Sequence, residues 1–341
     1  MNTSSPKKDK NILYFGGVIV SLLVLILIAL CAGAFPVTPG NILSVLCSAL
    51  FGEASENVFH SVVILDVRIP RILLAVSIGA GLSVAGCVYQ AVFRNPLVEP
   101  YLLGASSGAA FGAGLAIVLG FQIFSLQVTA LLFSLSAVFL VYSLATKDGK
   151  TQLLHLILIG IVINALFTAG LSFLKTIAHS EQLRDLTFWL MGGIYVADWK
   201  DVLIIVPAIL IAFLILWSMA WRMNVITLGD DEAQTLGLDV QKTRIITIFF
   251  STLIASLAVA TVGIIAWVGL IIPHIARMLV GPEHRALVPF SALFGGAFLL
   301  LCDTLARTLT GGEVPISILT SVIAAPYIIY LVRRNKAIFV G

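Results

Sequence analysis

The side chains able to do chemistry in this sequence are few, and they gather in four places. Arg68-Ile69-Pro70-Arg71 and, far along the chain, Arg307 carry guanidinium groups. Such groups pair with carboxylates in a bidentate fork, which suits docking of an acidic partner. Reaching for lipid phosphate is the plainer use. The segment 228–239 carries Gly229, Asp230, Asp231 and Glu232 ahead of Ala233, Leu236 and Gly237. Helical spacing puts Ala233, Leu236 and Gly237 along one face. The acids then stand at the helix N-terminus, where the dipole favours them, and Gly237 ends the helix. A short helix with an apolar tip fits a partner's groove, and a solvated hairpin is the plainer reading.

The third place is Phe93-Arg94-Asn95-Pro96-Leu97-Val98-Glu99-Pro100. Asn95 stands before a proline and resists helical backbone, so the chain breaks there. Gly104, Ala105, Ser106, Ser107 and Gly108 then open a helix with tiny residues, which either line a pore or pack closely. The fourth is Pro273-His274. His274 has no His, Cys or carboxylate at ligand spacing, so it reads as a structural histidine and no metal site is expected. Cys31, Cys47, Cys87 and Cys302 form no CxxC pair and read as small packing residues. No GxxxxGK[ST] loop is present, so the chain is not itself a P-loop ATPase. Asp303 is the main acid within an apolar run. A proton-coupled carrier needs more of them in mid-span, so the energy source is expected elsewhere.

These groups must be held by a membrane protein. Of 341 residues, 60% are hydrophobic and 11% charged, with a mean hydropathy of +1.08; soluble domains carry roughly 25% charged residues. A soluble enzyme, a disordered chain and a disulfide scaffold are excluded. The net charge of +3 is too small to suggest a nucleic-acid partner. Apolar runs place ten spans, at 12–35, 68–92, 100–119, 124–145, 152–174, 201–221, 243–265, 269–281, 286–308 and 316–332. The eighth is short and holds Pro273, so it reads as partial; eight spans is the main alternative. Pro207 and Pro326 are expected to bend the sixth and tenth. The run after Lys7, Lys8 and Lys10 is too long for a signal-peptide core, and Leu30 is too bulky to precede a lipoprotein cysteine, so it is read as a retained span.

Charge orients the spans. With the N-terminus in the cytoplasm, 14 of the 20 Lys and Arg residues lie inside, and both termini are basic. Segment 36–67 is read as an outer surface segment with an amphipathic helix through Ile42, Val45 and Leu46. Segment 175–200 is read as a second one, with a short helix ended at Gly192-Gly193. A loose echo links the second and third spans to the seventh and eighth, as in transporters with inverted repeats and broken helices.

In order along the chain come Arg68-Ile69-Pro70-Arg71, Gln90–Leu97, Gly104–Gly108, Trp189–Gly193, Leu228–Gly237, Gly269–Arg277, Asp303–Arg307 and Gly312-Glu313-Val314-Pro315-Ile316. Together, over about residues 12–335, they resemble the FecCD family of membrane permeases. The resemblance implies an all-α type II ABC importer permease with ten transmembrane helices per subunit. It implies one permease domain at 12–335, between cytoplasmic tails at 1–11 and 336–341. It implies uptake of a metal chelate, first of all an iron(III)–siderophore, with haem, cobalamin or molybdate as alternatives. An ion-coupled secondary transporter is the rival class, and a membrane-embedded enzyme or receptor a second rival.

The implied partners are a second permease subunit (a homodimer or close heterodimer), two ABC ATPase subunits, a periplasmic or lipid-anchored binding protein, and lipid. ATP and Mg would sit on the ATPase, with no cofactor on this chain. The implied location is a bacterial or archaeal cytoplasmic membrane. Arg68, Arg71 and Arg307 would meet acids of the binding protein. The loop at 222–244, with Gly229, Asp231, Glu232, Ala233, Leu236 and Gly237, would be the coupling helix. Asn95 and Leu97 would belong to the cytoplasmic gate, and Gly104, Ser106, Ser107 and Gly108 to the translocation path. No gate residue is assigned at the start of the fifth span.

Overall fold

The structure is a computed structural model and describes residues 6–33, 35–51, 58–120, 125–147, 150–195, 197–310 and 312–334. The expected tail at 336–341 lies outside the described residues, as do residues 1–5. Seven helices are long and apolar enough to cross a membrane. They are α1 (Lys10–Cys31 within a helix from Pro6), α3 (Val58–Val92), α5 (Leu126–Ala145), α6 (Leu153–Ile177), α8 (Trp199–Ser218), α11 (Val240–Val262) and α13 (His284–Thr308). The shorter apolar helices are α2 (Pro39–Phe51), α4 (Ala105–Val118), α12 (Val268–Val280) and α14 (Ile316–Arg334). Surface helix α7 (Ser180–Met191) and two short ones, α9 (Ala220–Ile226) and α10 (Asp230–Thr235), complete the set. Every expected span thus has its helix, with α4, α12 and α14 as the third, eighth and tenth. Two-residue strands, Thr146–Lys147 and Lys150–Thr151, pair between α5 and α6. We call the end with Arg71 outer and the end with Asp230 inner, following the charge bias.

Three boundaries differ from expectation. Helix α1 begins at Pro6, inside the expected tail. Helix α3 begins ten residues before the expected span at 68, and its turns widen to π spacing over Val62–Arg68, where the Ile69 N–H reaches back to Ile64 O. Pro70 has no N–H for the carbonyl four residues earlier, and the wider turns precede it. The third span begins at Ala105, because residues 93–104 run as turns.

Helix α3 is the centre of the molecule, buried along most of its length against α8, α11, α12 and α13. Small residues let its backbone come close to its neighbours. A Cβ on Gly86 would stand 1.7 Å from the carbonyl oxygen of Gly269 in α12, so only glycine fits that crossing.

Helices α4 and α12 are half-spans, ~21 and ~20 Å long at 1.5 Å per residue, against a hydrocarbon core of roughly 30 Å. Their starts are tied together. Glu99 Oε1 accepts the Trp267 N–H at 2.7 Å, and Tyr101 Oη donates to Ile265 O at 3.2 Å. Trp267 holds φ 75°, in the left-handed region, with its indole N–H on Ser321 Oγ at 3.1 Å. From these neighbouring starts α4 runs outward, ending where Gln182 of α7 donates to Val118 O. Helix α12 runs inward, ending near the C-terminus of α3, where Arg277 donates to Gln90 Oε1. The two regions joined by the sequence echo therefore each supply a broken helix, pointed in opposite directions.

Candidate functional site

Two charge clusters mark the two ends. At the outer end Arg71, 7% exposed, sits between two acids. Its Nε donates to Asp303 Oδ1 at 3.0 Å, and its Nη2 stands 2.9 Å from the same oxygen. Its Nη1 and Nη2 donate to Glu313 Oε1 and Oε2 at 2.7 and 3.1 Å. Arg307, one helical turn beyond Asp303, stands 3.4 Å from Asp303 Oδ2 and donates to the carbonyls of Ala29 and Ala32. Arg68, 4% exposed, donates to the carbonyls of Leu30 and Phe35. The three arginines line a cavity of about 630 Å³ together with Gly33, Thr308 and Glu313. Glu313 reaches the surface there, and it joins burial in pushing the neighbouring Tyr195 phenol above its ordinary value.

Sequence reasoning expected outward arginines. The structure instead turns them inward, because each guanidinium finds internal acceptors that a buried cation needs. Asp303 and Glu313 were missed as their partners. The only signal for Asp303 was an acid within an apolar run; its distance of 232 residues from Arg71 hid the pairing.

At the inner end Asp230 opens α10. Its Oδ1 accepts from Arg94 Nη2 at 3.1 Å, and both its oxygens accept from Arg244 Nη2 at 3.0 Å. Arg244 is 1% exposed and also donates from Nη1 to Thr151 O at 2.9 Å. Gly229 (φ 139°) precedes α10 and Gly237 (φ 78°) follows it, so the glycine stop falls where expected. Asp231 and Glu232 lie with Asp230 in its first turn. Ala233 does not form the tip. It is fully buried against Val225, Ile226, Leu238 and Val240, because a six-residue helix needs its one small apolar residue as a foot on its own chain. The exposed apolar side chains of this loop are Leu228 and Leu236.

The expected gate and path residues divide in the same way. Asn95 Oδ1 accepts the Leu97 N–H at 2.9 Å, closing the turn and leaving Leu97 49% exposed. Gly104 (φ 88°) leads into α4. Ser107 Oγ donates to Asn164 Oδ1 of α6 at 2.7 Å, and Asn164 Nδ2 donates to Leu102 O. Ser106 is half-buried. A Cβ on Gly108 would stand 2.5 Å from Phe133 O, so this glycine is a helix-packing residue of α4 on α5. His274 is half-buried, with its ring 6.3 Å from that of Tyr327.

The profile of the FecCD transport family matches residues 21–334. The chain belongs to the FecCD transport family. This FecCD protein is 43% identical over 275 residues to the molybdate import system permease protein of Haemophilus influenzae, covering 80% of this chain and 82% of that one. It is 41% identical over 276 residues to the cobalamin import system permease protein of Halobacterium salinarum, covering 81% and 74%. Its fold matches an inward-facing conformation of a metal-chelate type ABC transporter with a TM-score of 0.84 and 38% identity, over 94% of this chain and 99% of that one. The FecCD chain is therefore a multi-pass membrane permease subunit of an ABC importer, and ATP hydrolysis belongs to a separate subunit.

Proposed function

We propose that two copies of this permease enclose a translocation path for a metal chelate, first of all an iron(III)–siderophore. Two ATPase subunits dock on the inner end and a binding protein on the outer end. Both chain termini lie in the cytoplasm. The observation that carries this reading is the inner loop. A short helix, anchored by Ala233 and tied by Asp230 to two other segments, presents Leu228 and Leu236 to solvent. A stiff, anchored helix with apolar side chains facing out transmits motion, where a slack loop would not.

The cargo is expected to be chosen outside the membrane. Relatives at 41–43% identity carry names as unlike as molybdate and cobalamin. A path lined by small and weakly polar groups serves both, since tight binding there would slow release. A tetrahedral oxyanion is the second reading, favoured by the Haemophilus relative. The test is ATP-driven uptake by the reconstituted complex with its binding protein. The two cargoes are an iron(III) chelate and molybdate. Uptake of the iron chelate supports the first reading, and uptake of molybdate alone replaces it with the second. Uptake without an ATPase would overturn the importer assignment for this chain.

A further inference from the structure

Two arginines, 136 and 14 residues away along the chain, meet on one carboxylate at the inner end. Asp230 is the first residue of α10. One arm of its contacts runs to Arg94, which stands directly before Asn95-Pro96-Leu97 and holds φ 51°, a left-handed conformation in a residue that is not glycine. The other arm runs to Arg244 in the first turns of α11. Arg244 passes the connection on, because its Nη1 holds the carbonyl of Thr151, the last residue of the hairpin that leads into α6. Thr151 is itself fixed on both sides. Its N–H donates to Gln241 Oε1 at 3.4 Å, and its hydroxyl stands 2.8 Å from that of Thr146.

Arg244 depends on this carboxylate. It is 1% exposed, and its Nε has no hydrogen-bond partner among the described residues. Its charge is therefore balanced at Asp230, and a buried guanidinium without that balance is strongly disfavoured. Asp230 and Arg94 are about one-third exposed. The pair on that side can lengthen or re-form as the segments shift, while the Arg244 side stays fixed. One carboxylate thus has a firm arm and a yielding arm.

We infer that Asp230 is the positioning residue that carries movement of α10 to the Asn95–Leu97 turn through Arg94 and to the hairpin before α6 through Arg244. The inference rests on the importer reading, in which a partner ATPase moves α10. Asp231 and Glu232 follow Asp230 in the first turn of α10, but the ion pairs to Arg94 and Arg244 are made by Asp230. Asp230→Asn removes the charge but keeps an amide oxygen that can accept from Arg244, and leaves α10 its apolar foot, Ala233, and its exposed leucines.

The test uses the full complex of permease and ATPase in lipid nanodiscs, with the native cysteines replaced. A fluorophore is placed at Leu97→Cys or at Leu154→Cys, both exposed positions. The signal is the change on trapping the ATPase with ATP and vanadate. Without further substitution both labels should respond. With Asp230→Asn the ATPase should still copurify, and both responses should fall at least fivefold; Asp230→Glu should recover at least half. Arg94→Gln, a change at a side chain 36% exposed and so small in its cost to stability, should lose the Leu97 response and keep that at Leu154 within twofold. Full responses in Asp230→Asn would overturn the inference. So would loss of the ATPase from that variant alone, which would make the carboxylate a shaper of the docking helix. Failure of the ATPase to bind the unsubstituted permease would instead overturn the importer reading, on which the link depends.

Discussion

The outer cluster around Arg71 and the inner cluster around Asp230 use the same chemistry to opposite ends. Outside, two acids serve two arginines, Arg71 and Arg307, and the central pair is enclosed, with side-chain exposures of 8% for Arg71 and 0% for Asp303. Inside, one acid serves two arginines, and Asp230 and Arg94 stand at 37% and 36%. The outer cluster joins transmembrane helices α1, α3 and α13, and extends through Glu313 to the segment before α14. The inner one joins the first turns of α11 to a short helix, a turn and, through Thr151, a hairpin. A guanidinium–carboxylate pair therefore acts as a clamp where it is desolvated and as a joint where water reaches it. Residue type does not separate the two roles; burial does.

The largest effect should follow from breaking the clamp. Asp303→Ala leaves the guanidinium groups of Arg71 and Arg307 facing each other without the carboxylate between them. Removing one partner of a buried pair is expected to destabilise by about 3–5 kcal/mol. Thermal unfolding in detergent should show a clearly lower midpoint than for Arg94→Ala, whose pair with Asp230 is solvated on both sides. Equal midpoints for the two variants would erase the distinction between clamp and joint.

Much of this was legible in the sequence, and the reasons are local. Apolar runs gave a helix for each of the ten spans because a length of ~20 apolar residues is a property of one segment. Gly237 and Gly192 stop their helices where expected because a stop is also local. Pairing is not local. Arg94 and Asp230 lie 136 residues apart, and Arg71 and Asp303 lie 232 apart. Nothing within either segment announces the other. The same limit reversed Ala233: helical spacing places it on one face with Leu236 but cannot say which side that face meets. The structure puts Ala233 at 0% and Leu236 at 56% exposure.

That reversal supplies the next prediction. Ala233→Asp should bury a carboxylate among Val225, Ile226, Leu238 and Val240, at a cost of roughly 1–3 kcal/mol or more, and unseat α10 from within. Leu236→Asp should stay within about 0.5 kcal/mol of the parent stability, as exposed substitutions do, and act on the ATPase contact instead. Limited proteolysis across residues 222–244 separates them: faster cleavage for Ala233→Asp, parental cleavage for Leu236→Asp. Copurification of the ATPase should drop for both. Parental proteolysis of Ala233→Asp would mean that the foot does not anchor the helix.

The sharpest probe of the outer cluster, with only a small expected change in stability, is Glu313→Gln. Reversing Arg68 and Arg71 to Glu would be the direct test of docking, but Arg71→Glu places a second carboxylate against Asp303 in a buried site, so lost docking would be confounded with lost folding. Glu313 is 39% exposed at its side chain, and removing its charge should cost about 1 kcal/mol or less. Asp303 still balances Arg71 afterwards. In the parent, an acid arriving from a binding protein must compete with Glu313 for the Nη atoms of Arg71. In the variant it need not. If Arg71 is a docking residue, Glu313→Gln should tighten capture of the binding protein several-fold at low salt, and the gain should shrink as salt is raised. Surface plasmon resonance on nanodisc-held complex reads both. Unchanged affinity at every salt concentration would leave Arg71 as part of the clamp alone and move the docking surface elsewhere on the outer end.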